Sequence, residues 1–293
     1  MDDGFRHEAL FYGDDDEYLE GTIPYLRDGL EAGEATMVAV GPRKAEILAA
    51  ELGDDAELVC FADMHGLGRN PARIIPFWRE FLDRDGGQAP VRGIGEPVWP
   101  QRTAAEVDEC QRHEVLLDHA FGHGRAWSLI CPYDSSSLAD DVLEFASCSH
   151  DEPRLPPRPF AGELAAMPAG AERMEFALAD LHAVRALVAA QAGAAGLPPR
   201  RAEALITAAG ELAANSVRHG GGAGLLGVWV ADGRLVVEME DTGAIGEPLA
   251  GRVRPDVAQL SGRGLWLANQ LCDLMQIRSG SGGTRIRLQM AVC

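Results

Sequence analysis

The fold of this chain's second half is decided by residues 206–220, which read ITAAGELAANSVRHG. The stretch is rich in alanine and predicts a helix, on which Glu211 and Asn215, four positions apart, share one face. Asparagine has a mediocre propensity for helix interiors, so helix stability does not explain why position 215 is an asparagine. Its side-chain oxygen would suit a hard cation such as Mg²⁺. The alternative is an ordinary helix surface with two solvated polar groups.

Two further motifs follow this helix in the sequence. A predicted strand at 234–240 runs into Asp241-Thr242-Gly243, where a carboxylate can accept from an exocyclic amine and a glycine permits close approach. Ser261-Gly262-Arg263-Gly264-Leu265 then opens an apolar helix predicted over 263–274, whose N-terminal amides and dipole favour phosphate. Each motif alone is common as a turn, but the three in this order predict a nucleotide site.

The segments ELAANSVRHG, DTG and GRGL resemble the N, G1 and G2 boxes of the gyrase/histidine-kinase ATPase superfamily, the Bergerat fold. The resemblance covers about 173–290, and within the superfamily it is strongest to the anti-sigma-factor serine kinases. It implies an α/β two-layer sandwich for 173–293 and ATP with Mg²⁺ as cofactors. The implied partners are a sigma factor or its antagonist, an anti-anti-sigma protein, and a homodimer is also allowed.

The same resemblance implies roles at the nucleotide. Asn215 would coordinate Mg²⁺, and Asp241 would bind the adenine amino group. Gly243 would let the adenine base approach the backbone closely, while Gly262 and Gly264 would surround the phosphates.

Two more roles and two departures complete the implied site. Thr284, on a strand predicted at 284–290, would support adenine recognition, and Glu211 would be the general base for a serine hydroxyl or a water. Ala244-Ile245-Gly246 stands where a second glycine usually lies two residues after the first. The lid at 247–261 is short and has few basic residues. Binding of ATP without turnover is therefore an open alternative.

The first half of the chain alternates short apolar runs with longer helical patterns, which predicts parallel βαβ units. We expect an α/β domain with a mostly parallel sheet over 1–152. Four prolines in the nine residues 151–159 predict a linker, set at 153–172, before a C-terminal domain over 173–293. The strands predicted in the first half are 7–12, 35–40, 57–61, 91–95 and 126–131.

Two unusual patches predict a ligand pocket in this first domain. They are residues 93–99, GIGEPVW, and residues 131–134, CPYD, each expected in a loop at the carboxyl end of a strand, where ligands collect in parallel sheets. HEALFY, GEPVW, RHE and CPYD resemble the MEDS sensory domain of bacterial signalling proteins, which implies a small organic ligand. The alternative is that these aromatic and proline residues only stabilise the fold and bind no ligand. The candidate pocket residues are His7, Glu96, Trp99, Glu114 and Tyr133.

Composition excludes several other classes of protein. The net charge of −19 would repel nucleic acids, and no apolar run reaches the ~20 residues of a membrane span. The acidic start does not resemble a signal peptide, so a cytoplasmic location is expected. Six scattered cysteines predict reduced thiols. His119 and His123 would share a helix face and could hold a metal if the helix continued through Gly122, the alternative being surface histidines.

These observations predict a signalling regulator in which a sensory domain controls an ATP-binding serine/threonine protein kinase domain of the anti-sigma-factor type. The alternative is a non-catalytic, nucleotide-dependent module that sequesters a sigma factor or its antagonist. A histidine kinase is disfavoured because 151–175 is too short for the two long dimerising helices that such enzymes place before the ATPase. Substitution of Glu211 distinguishes the first two functions, because a kinase with Glu211→Gln should lose turnover but still bind ATP.

Overall fold

A computed structural model of the chain describes residues 4–85, 90–151, 160–256 and 262–292. The chain divides into two compact units, residues 1–157 and 158–293. Of the predicted linker, residues 153–159 lie outside the described ranges. Phe160, Leu164 and Met167 are buried within the second unit. None of the described helices is long and apolar enough to cross a membrane.

The first unit contains one five-stranded sheet in which every pairing is parallel, as the sequence predicts. The strand order is β1-β5-β4-β2-β3. The strands are β1 (Phe5–Tyr12), β2 (Ala35–Val40), β3 (Val59–Asp63), β4 (Val91–Gly95) and β5 (Trp127–Asp134).

The helices of this unit connect the parallel strands. Thr103 and Glu106 form a reciprocal capping box at the start of the fifth helix, which satisfies two backbone amides there. That helix ends at Phe121, so His123 lies beyond it and the condition for the His119 and His123 metal pair is not met. The helices are α1 (Asp15–Glu31), α2 (Pro42–Leu52), α3 (Met64–Leu67), α4 (Ile74–Asp85), α5 (Ala104–Phe121) and α6 (Asp140–Asp151).

Strand β5 is longer than the sequence predicts, since CPYD is part of the strand and not a loop after it. Proline is tolerated at position 132 because β4 stops pairing with β5 at Ile130, leaving only β1 beside Pro132. After the strand, the Asp134 carboxylate accepts a hydrogen bond from Ser136 N at 3.0 Å, which forms a turn. Helix α6 therefore begins only at residue 140.

The second unit is an antiparallel sheet packed against helices, the predicted two-layer α/β sandwich. Its strand order is β6-β7-β8-β10-β9. Asp232 and Gly233 both have positive φ, as a tight hairpin between β7 and β8 requires. The strands are β6 (Glu172–Ala177), β7 (Ala223–Ala231), β8 (Arg234–Asp241), β9 (Leu274–Gly280) and β10 (Gly283–Ala291). The helices are α7 (Leu181–Ala194), α8 (Pro199–His219) and α9 (Arg263–Leu271).

The predicted helix over 263–274 is wrong at its C-terminal end. It stops at Leu271, Cys272 is extended, and β9 begins at Leu274. Apolar residues run through this region without a decisive period, so the pattern does not separate helix from strand. Pairing with β10 decides the outcome, because Met275 faces Leu288 and Ile277 faces Ile286, and all four side chains are buried.

Candidate functional site

Helices α8 and α9 bring two of the three motifs together. A Cβ atom added to Gly264 would lie 2.9 Å from Nδ2 of Asn215 and 3.2 Å from Oε2 of Glu211. The space that the missing side chain leaves is therefore bordered by the two polar residues that share a face of α8. This arrangement places a carboxylate and an amide next to the first turn of α9.

Asp241 ends β8 beside the C-terminal end of α8, and its carboxylate is held by two donors. Ser216 Oγ donates to Oδ2 at 2.6 Å, and Gly243 N donates to Oδ1 at 2.9 Å. Gly220 packs so closely on the carboxylate that a side chain there would overlap it. Because a carboxylate has about four acceptor positions, each oxygen can still accept a hydrogen bond from a ligand.

Thr284 fixes the loop that follows Asp241. Its Oγ1 donates to Gly243 O at 2.8 Å and lies 2.7 Å from Ser279 Oγ, which in turn accepts from Ile245 N at 2.8 Å. The donor directions follow from this order: the Ile245 amide donates to Ser279, Ser279 to Thr284, and Thr284 to the Gly243 carbonyl. This hydrogen-bond chain sets the backbone course around Ala244, where the sequence departs from the family pattern.

The N-terminus of α9 presents backbone amides that lack helical partners. Gly262 caps the helix in a left-handed conformation, with φ of 86°, which glycine adopts without steric cost. Within the helix, Asn269 Nδ2 donates to Gly251 O at 2.9 Å, which ties part of the predicted lid to α9. Residues 257–261 of that lid lie outside the described ranges.

All seven predicted residues of the second unit thus lie on adjoining parts of α8, β8, β10 and α9. Sequence reasoning missed two side chains that organise them. Ser216 directly follows Asn215 and turns toward Asp241, a position that its place in the motif could have suggested. Ser279 lies on β9, a strand that was not predicted, so no pattern pointed to it.

In the first unit, β1, β5, α5 and α6 enclose a second group of polar side chains. His7 Nε2 lies 3.1 Å from Glu114 Oε2 and 3.2 Å from Cys131 Sγ, and His150 Nε2 lies 3.5 Å from the same Glu114 oxygen. Side-chain exposure is 2 to 4% for Glu114, His7 and His150, and Cys131 is buried. The Tyr133 ring packs edge-on against His150.

Burial and charge act in opposite directions in this group. Burial raises the pKa of Glu114, but the hydrogen bond and charge of His7, with His150 and His113, bring it down to about 2. Burial, followed by the charge of His7, lowers the pKa of His150. Burial also raises the pKa of the Cys131 thiol. The group therefore holds a buried carboxylate among imidazoles and a thiol.

Glu96 and Trp99, the other two predicted pocket residues, have different neighbours. Glu96 is paired with Lys44, which also bonds the Tyr12 hydroxyl, and it accepts from Gly41 N at 3.1 Å. Trp99 packs against His65 and lies under the Arg102 guanidinium at the same carboxyl edge of the sheet. The structure thus distributes the five residues over two clusters, with His7, Glu114 and Tyr133 in one.

Comparison with known families assigns both units. Residues 6–151 match the model described as MEDS, the methanogen/methylotroph DcmR sensory domain. Residues 174–290 match the model described as a histidine kinase-like ATPase domain. The chain joins a MEDS domain to a histidine kinase-like ATPase domain. Both resemblances drawn from the sequence are confirmed, and the ATPase domain implies nucleotide binding.

Two individual proteins are similar to parts of the chain. The transcriptional repressor DcmR of Methylorubrum extorquens is 26% identical over 158 residues, which cover 50% of this chain and 58% of that relative. The match therefore spans little more than half of the repressor's length. The RsbU and RsbW domains of a Mycobacterium tuberculosis protein align with 20% identity and a TM-score of 0.32, covering 41% of this chain and 32% of that one.

Proposed function

We propose that this protein is a cytoplasmic signalling regulator in which the MEDS domain controls an ATP-binding serine/threonine kinase domain of the anti-sigma-factor type. The observation that carries the proposal is the meeting of three motifs at one place. Glu211 and Asn215 border Gly264 of α9, and α8 reaches the carboxylate of Asp241 through Ser216. These are the groups that a magnesium nucleotide requires.

The proposed nucleotide spans the distance from Asp241 to the N-terminus of α9. Adenine would lie against Gly243, with its amino group donating to the Asp241 carboxylate. The phosphates would lie at Gly262 and Gly264, where unpaired amides and the helix dipole favour negative charge. Asn215 would supply an oxygen to Mg²⁺, which usually keeps several waters and phosphate oxygens as its other ligands.

Glu211 is the proposed general base. Its carboxylate borders the same glycine as Asn215 and therefore lies beside the proposed phosphates. In that position it could accept the proton of a serine hydroxyl that attacks the terminal phosphate. The proposed substrate is a serine of an antagonist protein, and the proposed regulated partner is a sigma factor.

Calorimetric titration of MgATP into the full chain tests the nucleotide site. We expect micromolar binding by the wild type and loss of binding in Asn215→Ala and Asp241→Asn. Asp232→Asn is the matched control, because it makes the same change at the other end of β8, where asparagine also tolerates the positive φ. Absence of binding by the folded wild type, or binding that survives both site variants, would reject the proposal.

Control by the MEDS domain requires a separate experiment. A panel of small organic compounds is added to the full chain, and ATP affinity and phosphate transfer are measured with and without each compound. The family description names the domain as sensory, which supports the expectation that one class of compound changes one of these quantities. If neither the compounds nor deletion of the MEDS domain changes either quantity, the proposed control is wrong.

A further inference from the structure

The His7, Glu114, Cys131 and His150 cluster of the MEDS domain is unrelated to the nucleotide motifs, which all lie in the other domain. Each residue comes from a different element, and one ligand atom of each lies within 4.8 Å of the others. We propose that this cluster is a zinc site in which these four side chains are the ligands.

Three of the six distances between the four ligand atoms are close to those of a single tetrahedral ion. Zinc binds nitrogen and oxygen at about 2.1 Å, so two ligands of a tetrahedral site lie about 3.4 Å apart. The separations from His7 Nε2 to Glu114 Oε2 and to Cys131 Sγ are 3.1 and 3.2 Å. The separation from His150 Nε2 to Glu114 Oε2 is 3.5 Å. The other separations are no longer than 4.8 Å, so binding requires the side chains to move closer by up to about 1.4 Å.

The second nitrogen of His150 shows which tautomer faces the cluster. Its Nδ1 lies 2.7 Å from Ala146 O, and because a carbonyl oxygen only accepts, Nδ1 must carry a proton. In the neutral ring, Nε2 then presents a lone pair toward Glu114 and Cys131. Metal-binding histidines usually donate their other N–H to a carbonyl or carboxylate in this way. His7 Nδ1 lies 3.9 Å from an oxygen of Asp118, which is too far for a direct hydrogen bond.

Three buried atoms of the cluster lack a hydrogen bond of good geometry among the described residues. They are Oε1 and Oε2 of Glu114 and Nε2 of His150, although Oε2 has His7 Nε2 3.1 Å away. A buried polar atom without a partner costs about 1–3 kcal/mol, more when it is charged, so such atoms are rare in folded proteins. One cation at the centre of the four side chains would provide a partner for Oε2 of Glu114 and for Nε2 of His150.

The donor set favours zinc over calcium and magnesium. Calcium and magnesium prefer oxygen ligands, whereas thiolate, imidazole and carboxylate together are typical of zinc. Four protein ligands fill a tetrahedral shell, which is typical of structural and not catalytic zinc sites. The ion would tie helices α5 and α6 to the edge of the sheet formed by β1 and β5.

The test uses the full chain, stripped of metal with a chelator under reducing conditions. Zinc is then titrated against a chromophoric chelator, and cobalt(II) serves as a spectroscopic substitute. We expect one zinc per chain and a thiolate-to-cobalt charge-transfer absorption. Cys131→Ser should abolish that absorption and weaken zinc binding at least about 100-fold, beyond the 10- to 100-fold typical of outer-shell changes.

Controls use the same residue types at exposed positions of the same domain. Cys60→Ser and His119→Ala should bind zinc and cobalt as the wild type does. Failure of the wild type to bind zinc, or an unchanged cobalt absorption in Cys131→Ser, overturns the proposal. If circular dichroism shows that Cys131→Ser does not fold, Glu114→Gln and His150→Gln replace it, and unchanged zinc affinity in both overturns the proposal equally.

Discussion

Asp241 and Thr284 lie directly opposite each other in the antiparallel pair formed by β8 and β10. The Asp241 carboxylate is held by Ser216 and the Gly243 amide, and the Thr284 hydroxyl is held by Ser279 and the Gly243 carbonyl. Gly243 thus donates to one residue of the pair and accepts from the other. The backbone beside the proposed adenine is fixed from both strands.

Thr284→Val should therefore weaken both the fold and nucleotide binding. The substitution removes the hydroxyl of a buried side chain that donates to the Gly243 carbonyl, which should cost about 1–2 kcal/mol of unfolding free energy. ATP affinity should fall because the loop from 242 to 245 loses its attachment to β10. Urea denaturation and calorimetry measure the two effects.

The matched control for this prediction is Thr207→Val, an exposed threonine on α8 whose hydroxyl bonds only the preceding helical turn. Threonine and valine have similar helix propensities, so its stability should be close to that of the wild type. Equal stabilities of the two variants would contradict the role assigned to Thr284.

Glu211→Gln should separate catalysis from nucleotide binding. The amide keeps the size of the side chain beside Gly264 but cannot accept a proton, so ATP affinity should change little. Transfer of phosphate to a serine of the antagonist protein should fall about 10²- to 10⁴-fold, the usual contribution of a general base. Labelled ATP and acid-stable phosphoserine provide the measurement.

Glu203→Gln, at an exposed position two turns earlier on α8, is the control and should transfer phosphate normally. Undiminished transfer by Glu211→Gln would remove Glu211 from the mechanism. A wild type that binds ATP without transferring phosphate would support the sequestering module instead, and acid-labile phosphate on the chain itself would indicate a histidine kinase.

Gly264→Ala should impair the nucleotide site more than the fold. The added methyl group would lie 2.9 Å from Nδ2 of Asn215, at the mobile end of a side chain that can move aside. Moving it displaces the proposed magnesium ligand and narrows the space for phosphate, so ATP affinity should fall at least about tenfold, or about 1.4 kcal/mol. Calorimetry measures the loss.

Gly193→Ala makes the same change in α7, where nothing lies within 4 Å of the new atom. It should leave ATP affinity unchanged and raise the unfolding free energy by about 0.5–1 kcal/mol, because alanine restricts the unfolded chain. The prediction for Gly264 fails if both variants bind ATP as the wild type does.

Local patterns predicted the parts of the fold that short-range chemistry determines. Helix α8 (Pro199–His219) contains the helical stretch predicted from 206–220, because its alanines and its starting proline favour a helix in any context. Strand β9 was missed because its conformation depends on β10, which lies after it in the chain. The order of the parallel strands in the first sheet likewise depends on pairings between distant segments.

The two candidate sites also differ in whether local sequence or long-range packing determines them. The nucleotide motifs have characteristic spacing within short segments, so their residues could be proposed from sequence. His7, Glu114, Cys131 and His150 have no such spacing, and only the packing of α5 and α6 on β1 and β5 brings them together. The predicted pocket contained two of the four and combined them with Glu96 and Trp99, which belong to the other cluster.

Lys44→Met should destabilise the MEDS domain by about 3 kcal/mol, because it leaves the nearly inaccessible Glu96 carboxylate without its cation. The methionine retains most of the apolar length of lysine, so the loss of stability measures mainly the removal of the Lys44 charge. Arg43→Met, at the neighbouring position, breaks an ion pair with Asp15 that lies in solvent and should leave stability nearly unchanged. Urea denaturation of the full chain compares the two variants, with unfolding detected by a probe in the MEDS domain. If both variants unfold at the wild-type urea concentration, the Lys44 and Glu96 pair does not stabilise the carboxyl edge of the sheet.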